Sequence, residues 1–277
     1  MPSRIETIFA DLRSRDAKAL MPFFVAGDPD LATTAELIRA ADAAGASVCE
    51  VGFPFSDPIA DGPTIQASMT RALDGGVTVR GVFDAVRSVR DNVKLGLVAM
   101  VTYSIVHRWG LEAFVRDAKA AGFDGFIFPD LPLEASGPAR EAAAAAGMTV
   151  SLLVAPTTPE ERAKKIAAAC TGFVYVVARA GITGARSELP PELTGRLRAL
   201  RGVTDVPLAV GFGVSKPEHV RDVVAVADAA IVASALIDRM ETAGGDRVAT
   251  AREMMGGLVG GLGSVGIKRE YRRIWNR

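Results

Sequence analysis

Apolar residues fall into two alternating rhythms along the chain. Between Ser3 and Leu12 they recur at helical spacing, with Ile5, Ile8, Phe9 and Leu12 on one face. After that, short apolar runs punctuated by glycine and proline alternate with helical segments. Met21 to Ala26 reads as a strand ending at Gly27-Asp28-Pro29, and Leu31 to Ala44 as a helix stopped by Gly45. Ser47 to Phe53 is the second strand, followed by helical spacing over Thr64 to Leu73 and Val79 to Val89. Lys94 to Thr102, Gly125 to Phe128 and Met148 to Val154 read as the third to fifth strands. Helices over Gly110 to Ala121, Ala135 to Ala146 and Pro159 to Cys170 follow them in turn. Gly172 to Val177, Pro207 to Val210 and Ala229 to Val232 are the sixth to eighth.

About eight buried strands alternating with helices predict an α/β fold, a single (β/α)8 TIM barrel with an extra N-terminal helix. No linker divides the chain, so residues 1–277 read as one barrel domain. The alternative is an open doubly wound sheet, but no G-x-G-x-x-G follows the first strand, which disfavours a dinucleotide fold. The alanines from Ala142 to Ala146 are explained by helix propensity alone. The tail after Gly256 is glycine-rich, then basic and aromatic from Lys268 to Arg277, and reads as a short terminal helix or a frayed end.

Composition narrows the function classes. Lys plus Arg and Asp plus Glu both total 32, so net charge gives no reason to expect nucleic acid or an anionic membrane as partner. Cys49 and Cys170 have no paired spacing, which argues against a disulfide framework or a zinc site and fits a reducing cytoplasm. The first residues, Met1 to Lys18, lack an apolar signal core. Runs such as Leu95 to Val106 are too short to span a bilayer. A soluble cytoplasmic protein is the expectation.

The candidate chemistry centres on Val51 to Gln66. Glu50 sits inside a β-branched strand, where an isolated carboxylate is costly to bury, and Asp61 follows on the loop broken by Pro54 and Pro58. The two acids flank one substrate, or they are a satisfied core glutamate and a turn aspartate; local chemistry leaves both readings open. In a barrel the site lies at the C-terminal strand ends. The polar residues there are Asp28, Glu50, Asp57, Asp61, Tyr103, Asp130, Thr157, Tyr175, Arg179, Thr183 and Ser215. No lysine is among them, which disfavours a Schiff-base aldolase. The two histidines, His107 and His219, lie far apart and form no metal cluster, and no Gly-x-Ser-x-Gly elbow occurs. Small-residue turns at Ala180 to Gly184, Gly211 to Ser215 and Val232 to Ala235 follow strands six to eight. They suit either a phosphate site or tight turns alone. If Glu50 points inward, alternation puts Val48 inward with it. Phe23, Met100, Ile127, Leu153, Tyr175, Phe212 and Ile231 lie at or near strand ends, as pocket lining for a flat apolar ring or as ordinary barrel core.

The run Glu50 to Pro58, with Ala60-Asp61-Gly62-Pro63, resembles the α subunit of tryptophan synthase, and Arg179 to Gly184 and Gly211-Phe212-Gly213 support the likeness independently. The resemblance extends from about Ile5 to Met240. It implies a lyase that splits indole-3-glycerol phosphate into indole and glyceraldehyde 3-phosphate. It also implies a β subunit, in an α2β2 complex, that condenses the indole with serine on pyridoxal phosphate. The α chain itself is then without a cofactor. By position, Glu50 corresponds to the acid-base group and Asp61 to the acid facing the indole nitrogen, steadied by Thr183. Gly184, Gly213, Ala233 and Ser234 fall in the phosphate turns, with Phe23, Tyr175 and Phe212 around the indole. Asp57 and Pro58 face the β subunit. Three positions depart from the pattern: Ala233 replaces a glycine, Ser104 an asparagine and Val25 a threonine. A positive φ at residue 233 would make the extra methyl costly. Two other classes remain in play, a catalytically silent subunit that activates a partner and another phosphate-sugar barrel enzyme such as an isomerase. Retention of both Glu50 and Asp61 argues against the first, and turnover of an indole-free substrate would favour the second.

Overall fold

The computed structural model describes residues 2–59, 61–178, 191–211 and 213–263. Its strands are β1 (Ala19–Val25), β2 (Val48–Gly52), β3 (Gly96–Met100), β4 (Gly125–Ile127), β5 (Thr149–Ser151), β6 (Leu153–Val154), β7 (Val174–Val177), β8 (Leu208–Gly211) and β9 (Ala229–Val232). All pair in parallel, in the order β5-β4-β3-β2-β1-β9-β8-β7-β6. The two ends of that order, β5 and β6, are separated in the chain by Leu152 alone, so the ring closes through one segment.

That segment is the predicted fifth strand, which the structure breaks in two. Ser151 pairs with Ile127 on one side and Leu153 with Tyr175 on the other. At the break the Leu152 N–H donates to Cys170 Sγ (3.3 Å), and the Leu152 carbonyl accepts from Tyr175 N (3.2 Å). A residue that changes partner strands leaves the ladder for one step, so the eight predicted strands become nine.

The helices are α1 (Arg4–Ser14), α2 (Leu31–Ala44), α3 (Pro63–Asp74), α4 (Val79–Val89), α5 (Tyr103–Trp109), α6 (Leu111–Ala121), α7 (Gly137–Ala145), α8 (Glu160–Ala169), α9 (Pro191–Arg201), α10 (Pro217–Val224), α11 (Ser234–Thr242) and α12 (Arg247–Val259). The sequence pattern delimited none of α9 to α12. Gly110, the predicted start of a helix, instead stands between α5 and α6 with φ +94°, a left-handed conformation natural to glycine. Of the tail after Gly256, α12 runs on to Val259 and a 3-10 turn follows to Leu262; the basic, aromatic part lies outside the described residues.

Two apolar layers result. Outward residues of the strands, such as Val51, Ala99 and Val210, pack under the helices. Inward residues, Met21, Val48, Val98, Ile127, Phe173, Ala209, Ala229 and Ile231, fill the barrel. The N-terminal end is stoppered by α1, whose Ile5, Phe9 and Leu12 join the inner cluster. A side chain at Gly96 would meet Ile5 Cδ1 at 2.4 Å, so the close seating of α1 requires glycine there. A Ser3–Glu6 capping box starts the helix. With that end filled by α1, the C-terminal strand ends are where a barrel of this kind takes its ligand.

Candidate active site

Glu50 is placed by simple alternation. Val48 faces the barrel interior and Cys49 and Val51 face the helices, so Glu50 points inward with Val48. Its register partners are Phe23 on β1 and Val98 on β3, both apolar. The residue is fully buried, and neither carboxylate oxygen has a hydrogen-bond partner among the described residues. Burial alone pushes its carboxyl up to about 8, because a charge there would lose its water without gaining a counter-charge. At neutral pH Glu50 is therefore mostly protonated. Among the described residues nothing satisfies Glu50, which speaks against its reading as a satisfied core residue.

Asp61 stands on the half-buried loop between β2 and α3. Its N–H closes a turn onto the Pro58 carbonyl at 3.1 Å. Burial raises its carboxyl to about 6, so it remains mostly ionised at neutral pH. Two carboxyl groups of one strand end are thus set apart, one as acid and one as anion, which is the arrangement acid-base enzymes use.

Tyr175 on β7 ties the two together. It points inward two residues after Phe173, and a side chain at Gly211 would meet its phenol oxygen at 3.2 Å. Its phenol is held well above the usual range, first by burial and then by the charges of Glu50 and Asp61. All three therefore share one electrostatic environment. Phe23 lines the same space, with its ring lying against Gly52, where a side chain would meet it at 2.6 Å. Ile127 and Ile231 are buried, and Met100, Leu153 and Tyr175 keep partial exposure as a pocket wall does.

Of the closing turns, Arg179, Thr183 and Gly184 lie outside the described residues, as does Phe212. Gly213 is exposed, has φ +54° and has open space where a side chain would stand. Ala233 has φ −127°, outside the left-handed region, so its methyl group carries no backbone strain. It precedes Ser234, the first residue of α11, and offers no side-chain cap, which leaves that helix's first N–H groups for a ligand. Ser215 and His219 are engaged with each other, Ser215 Oγ lying 3.3 Å from His219 Nδ1.

The other departures are absorbed locally. Ser104 Oγ lies 3.4 Å from Thr102 Oγ1, and Asp130 accepts from Thr102 Oγ1 and from Tyr103 N (2.8 Å), so this strand end is hydrogen-bonded. Val25 is buried in the outer apolar layer. Sequence reasoning missed what holds α3. Asp28, buried after β1, accepts from Ser68 and from Arg71 Nε (3.0 Å) and Nη2 (2.6 Å), and from Arg247 Nη1 (3.1 Å). The spacing of Ser68 and Arg71 on one helix face was the available signal.

Among the described residues, no cluster of His, Cys, Asp or Glu suits a metal ion, and no helix is long and apolar enough to cross a membrane. The model of the tryptophan synthase alpha chain family matches residues 9–257. The chain is 48% identical over 240 residues to a tryptophan synthase alpha chain of Chloroflexus aggregans, covering 86% of this chain and 90% of the relative. It is 43% identical to that of Geotalea uraniireducens over 266 residues, covering 96% and 98%. Among solved structures, a Mycobacterium tuberculosis tryptophan synthase matches with a TM-score of 0.86 at 35% identity, over 95% of this chain and 99% of that one. A Pyrococcus furiosus chain, from a structure of the α2β2 complex described as mutually activating, matches with a TM-score of 0.83 at 39% identity, over 88% and 99%.

Proposed function

The chain belongs to the tryptophan synthase alpha chain family, and from that premise we propose that Glu50 and Asp61 perform its lyase step. That step splits indole-3-glycerol phosphate into indole and glyceraldehyde 3-phosphate, and the indole passes to a β subunit. The α chain carries no cofactor; pyridoxal phosphate belongs to the β subunit. The observation that carries the assignment of roles is the buried carboxyl of Glu50, without a partner among the described residues.

The chemistry follows from the two protonation states. Glu50, neutral at the start, gives its proton to the indole carbon that bears the glycerol chain. The ring nitrogen becomes positively charged and the ring an electron sink. Asp61, ionised, stabilises that charge as it develops, in a site of low dielectric where one anion counts for much. Glu50, now a carboxylate, takes the proton of the hydroxyl on the adjacent carbon. The carbon–carbon bond breaks, its electron pair returns to the ring, and the aldehyde forms. Glu50 ends protonated, so the cycle closes without an external acid or base.

The remaining roles follow by position. Phe23, Tyr175 and Phe212 hold the indole ring, and Gly184, Gly213, Ala233 and Ser234 hold the phosphate at the turns and at the start of α11. Thr183 steadies Asp61. Asp57 and Pro58 meet the β subunit in an α2β2 assembly, and Ile59 beside them is 95% exposed, an apolar side chain suited to a partner. The whole chain, residues 1–277, acts as one barrel domain in the cytoplasm.

The loop carrying Asp61 is short of apolar anchors, so a β subunit that orders it should raise turnover. Indole release from indole-3-glycerol phosphate, measured with and without saturating β subunit, should show low turnover alone and a clear rise in complex. Equal rates would refute partner ordering of the loop. No indole under either condition would sink the catalytic roles.

A further inference from the structure

We infer that Gln66 is a positioning residue for Asp61, fixing the turn that carries it to the first turn of α3. This rests on Asp61 being the charge-stabilising acid. The Gln66 side-chain amide spends its two hydrogens on the two ends of the turn. Nε2 donates to the Asp61 carbonyl at 2.8 Å and to the Pro58 carbonyl at 3.2 Å. Pro58 O also accepts from Asp61 N, so one side chain braces a turn that, among the described residues, the main chain closes with one bond. Among the described residues the rest of the segment is held locally, Ile59 N donating to the Asp57 carbonyl at 2.9 Å. Ser56 and Asp57 are exposed and bonded to each other, and Ile59 stands in solvent. The amide binds main chain and not the Asp61 carboxylate, which leaves that anion for the substrate.

A brace is only as firm as its base, and α3 is firmly based. Within the next turn and a half after Gln66, Ser68 and Arg71 bond the buried Asp28. Burial would raise the Asp28 carboxyl, but the bonds from Arg71 and Ser68 hold it below its usual range, so it stays charged. Arg247 of α12 joins Asp28 to Glu241 (3.1 and 2.7 Å), and Arg71 reaches Glu241 at 3.3 Å. Glu241 lies on α11, the helix that begins at Ser234. The network therefore fastens α3 to the turn that follows β1 and to the helix of the phosphate turn. Gln66 transmits that fixed frame to Asp61.

The test is a cycle of variants in the full chain, assayed for indole formation in complex with its β subunit. Gln66→Met keeps size and helix propensity and removes both donors. It should leave the thermal melt unchanged, since the side chain is exposed, and keep KM within about twofold while kcat falls by roughly tenfold, the scale of one or two hydrogen bonds. In an Asp61→Asn background, the same change should cost less than about twofold, because the group it positions is already disabled. Gln66→Lys, which retains N–H donors, should recover most of the loss. A kcat for Gln66→Met within about twofold of the parent, or an equal loss in both backgrounds, overturns the inference. Full activity of Asp61→Asn alone would overturn the role of Asp61 itself, and the inference with it.

Discussion

Glu50→Gln should fold, bind substrate and lose kcat by about 10²–10⁴-fold, the range for loss of a general acid-base group. Glutamine preserves the size of the side chain and cannot shuttle a proton. Its effect on stability should run the other way. The folded-state carboxyl lies near 8 against an ordinary value of 4.5, so the folded state binds the proton more tightly than the unfolded chain. Stability is then lost as pH rises through the window from about 4.5 to about 8, and it stays lost above it. At about 1.4 kcal/mol per pKa unit, the ceiling of that loss is of order 5 kcal/mol. The buried amide of glutamine also lacks partners and recovers only part of it. The variant should therefore melt close to the parent at pH 5 and above it at pH 8, with activity abolished at both. A protein that tolerates the change in kcat, or that melts lower with rising pH relative to the parent, would show Glu50 to be structural.

Asp61→Asn should also be severely impaired, for a different reason. Asparagine keeps the side chain's shape and its ability to accept a hydrogen bond, and loses the negative charge. The ring nitrogen is neutral in the substrate and positive only as the bond breaks, so the missing charge is felt chiefly in the transition state. The expected signature is a fall in kcat of about 10²–10³-fold with a modest change in KM. Combined with Glu50→Gln, the losses should fall well short of their product, since both groups serve one transition state. A variant whose KM rises while kcat holds would place Asp61 in substrate binding alone.

The parts of this site that were legible in the sequence are those that break a local rule. A glutamate inside a β-branched strand is out of place unless used, and Glu50 proved to be buried without a partner among the described residues. The amphipathic spacing of Ile5, Phe9 and Leu12 similarly announced α1, which stoppers the barrel. What stayed hidden depends on pairings between distant residues. The apolar run Met148 to Val154 gives no sign that Leu152 changes neighbours, because a strand buried on both faces looks alike whichever strand it pairs with. The backbone angle at Ala233 is set by the turn into α11 and is not positive, so the methyl that a positive φ would have made costly fits. Asp28 read as a strand-end polar residue of the site; its carboxylate is instead occupied by Ser68, Arg71 and Arg247, and anchors helices. Gln66 lies within the stretch that drew attention to Glu50 and Asp61, yet an exposed helical glutamine carries no signal until its carbonyl partners are seen.

The central claim is that Glu50 must hold a proton at the outset while Asp61 holds none. The pH dependence of kcat/KM for indole formation reports the free enzyme's groups. A substrate phosphate titrates near the same pH as Asp61, at about 6, so the acid limb mixes two causes. The alkaline limb belongs to Glu50. The account predicts that kcat/KM declines above neutrality with an apparent pKa of about 8, as Glu50 loses the proton it must donate. A profile that stays flat or climbs between about pH 7 and 10 would contradict it.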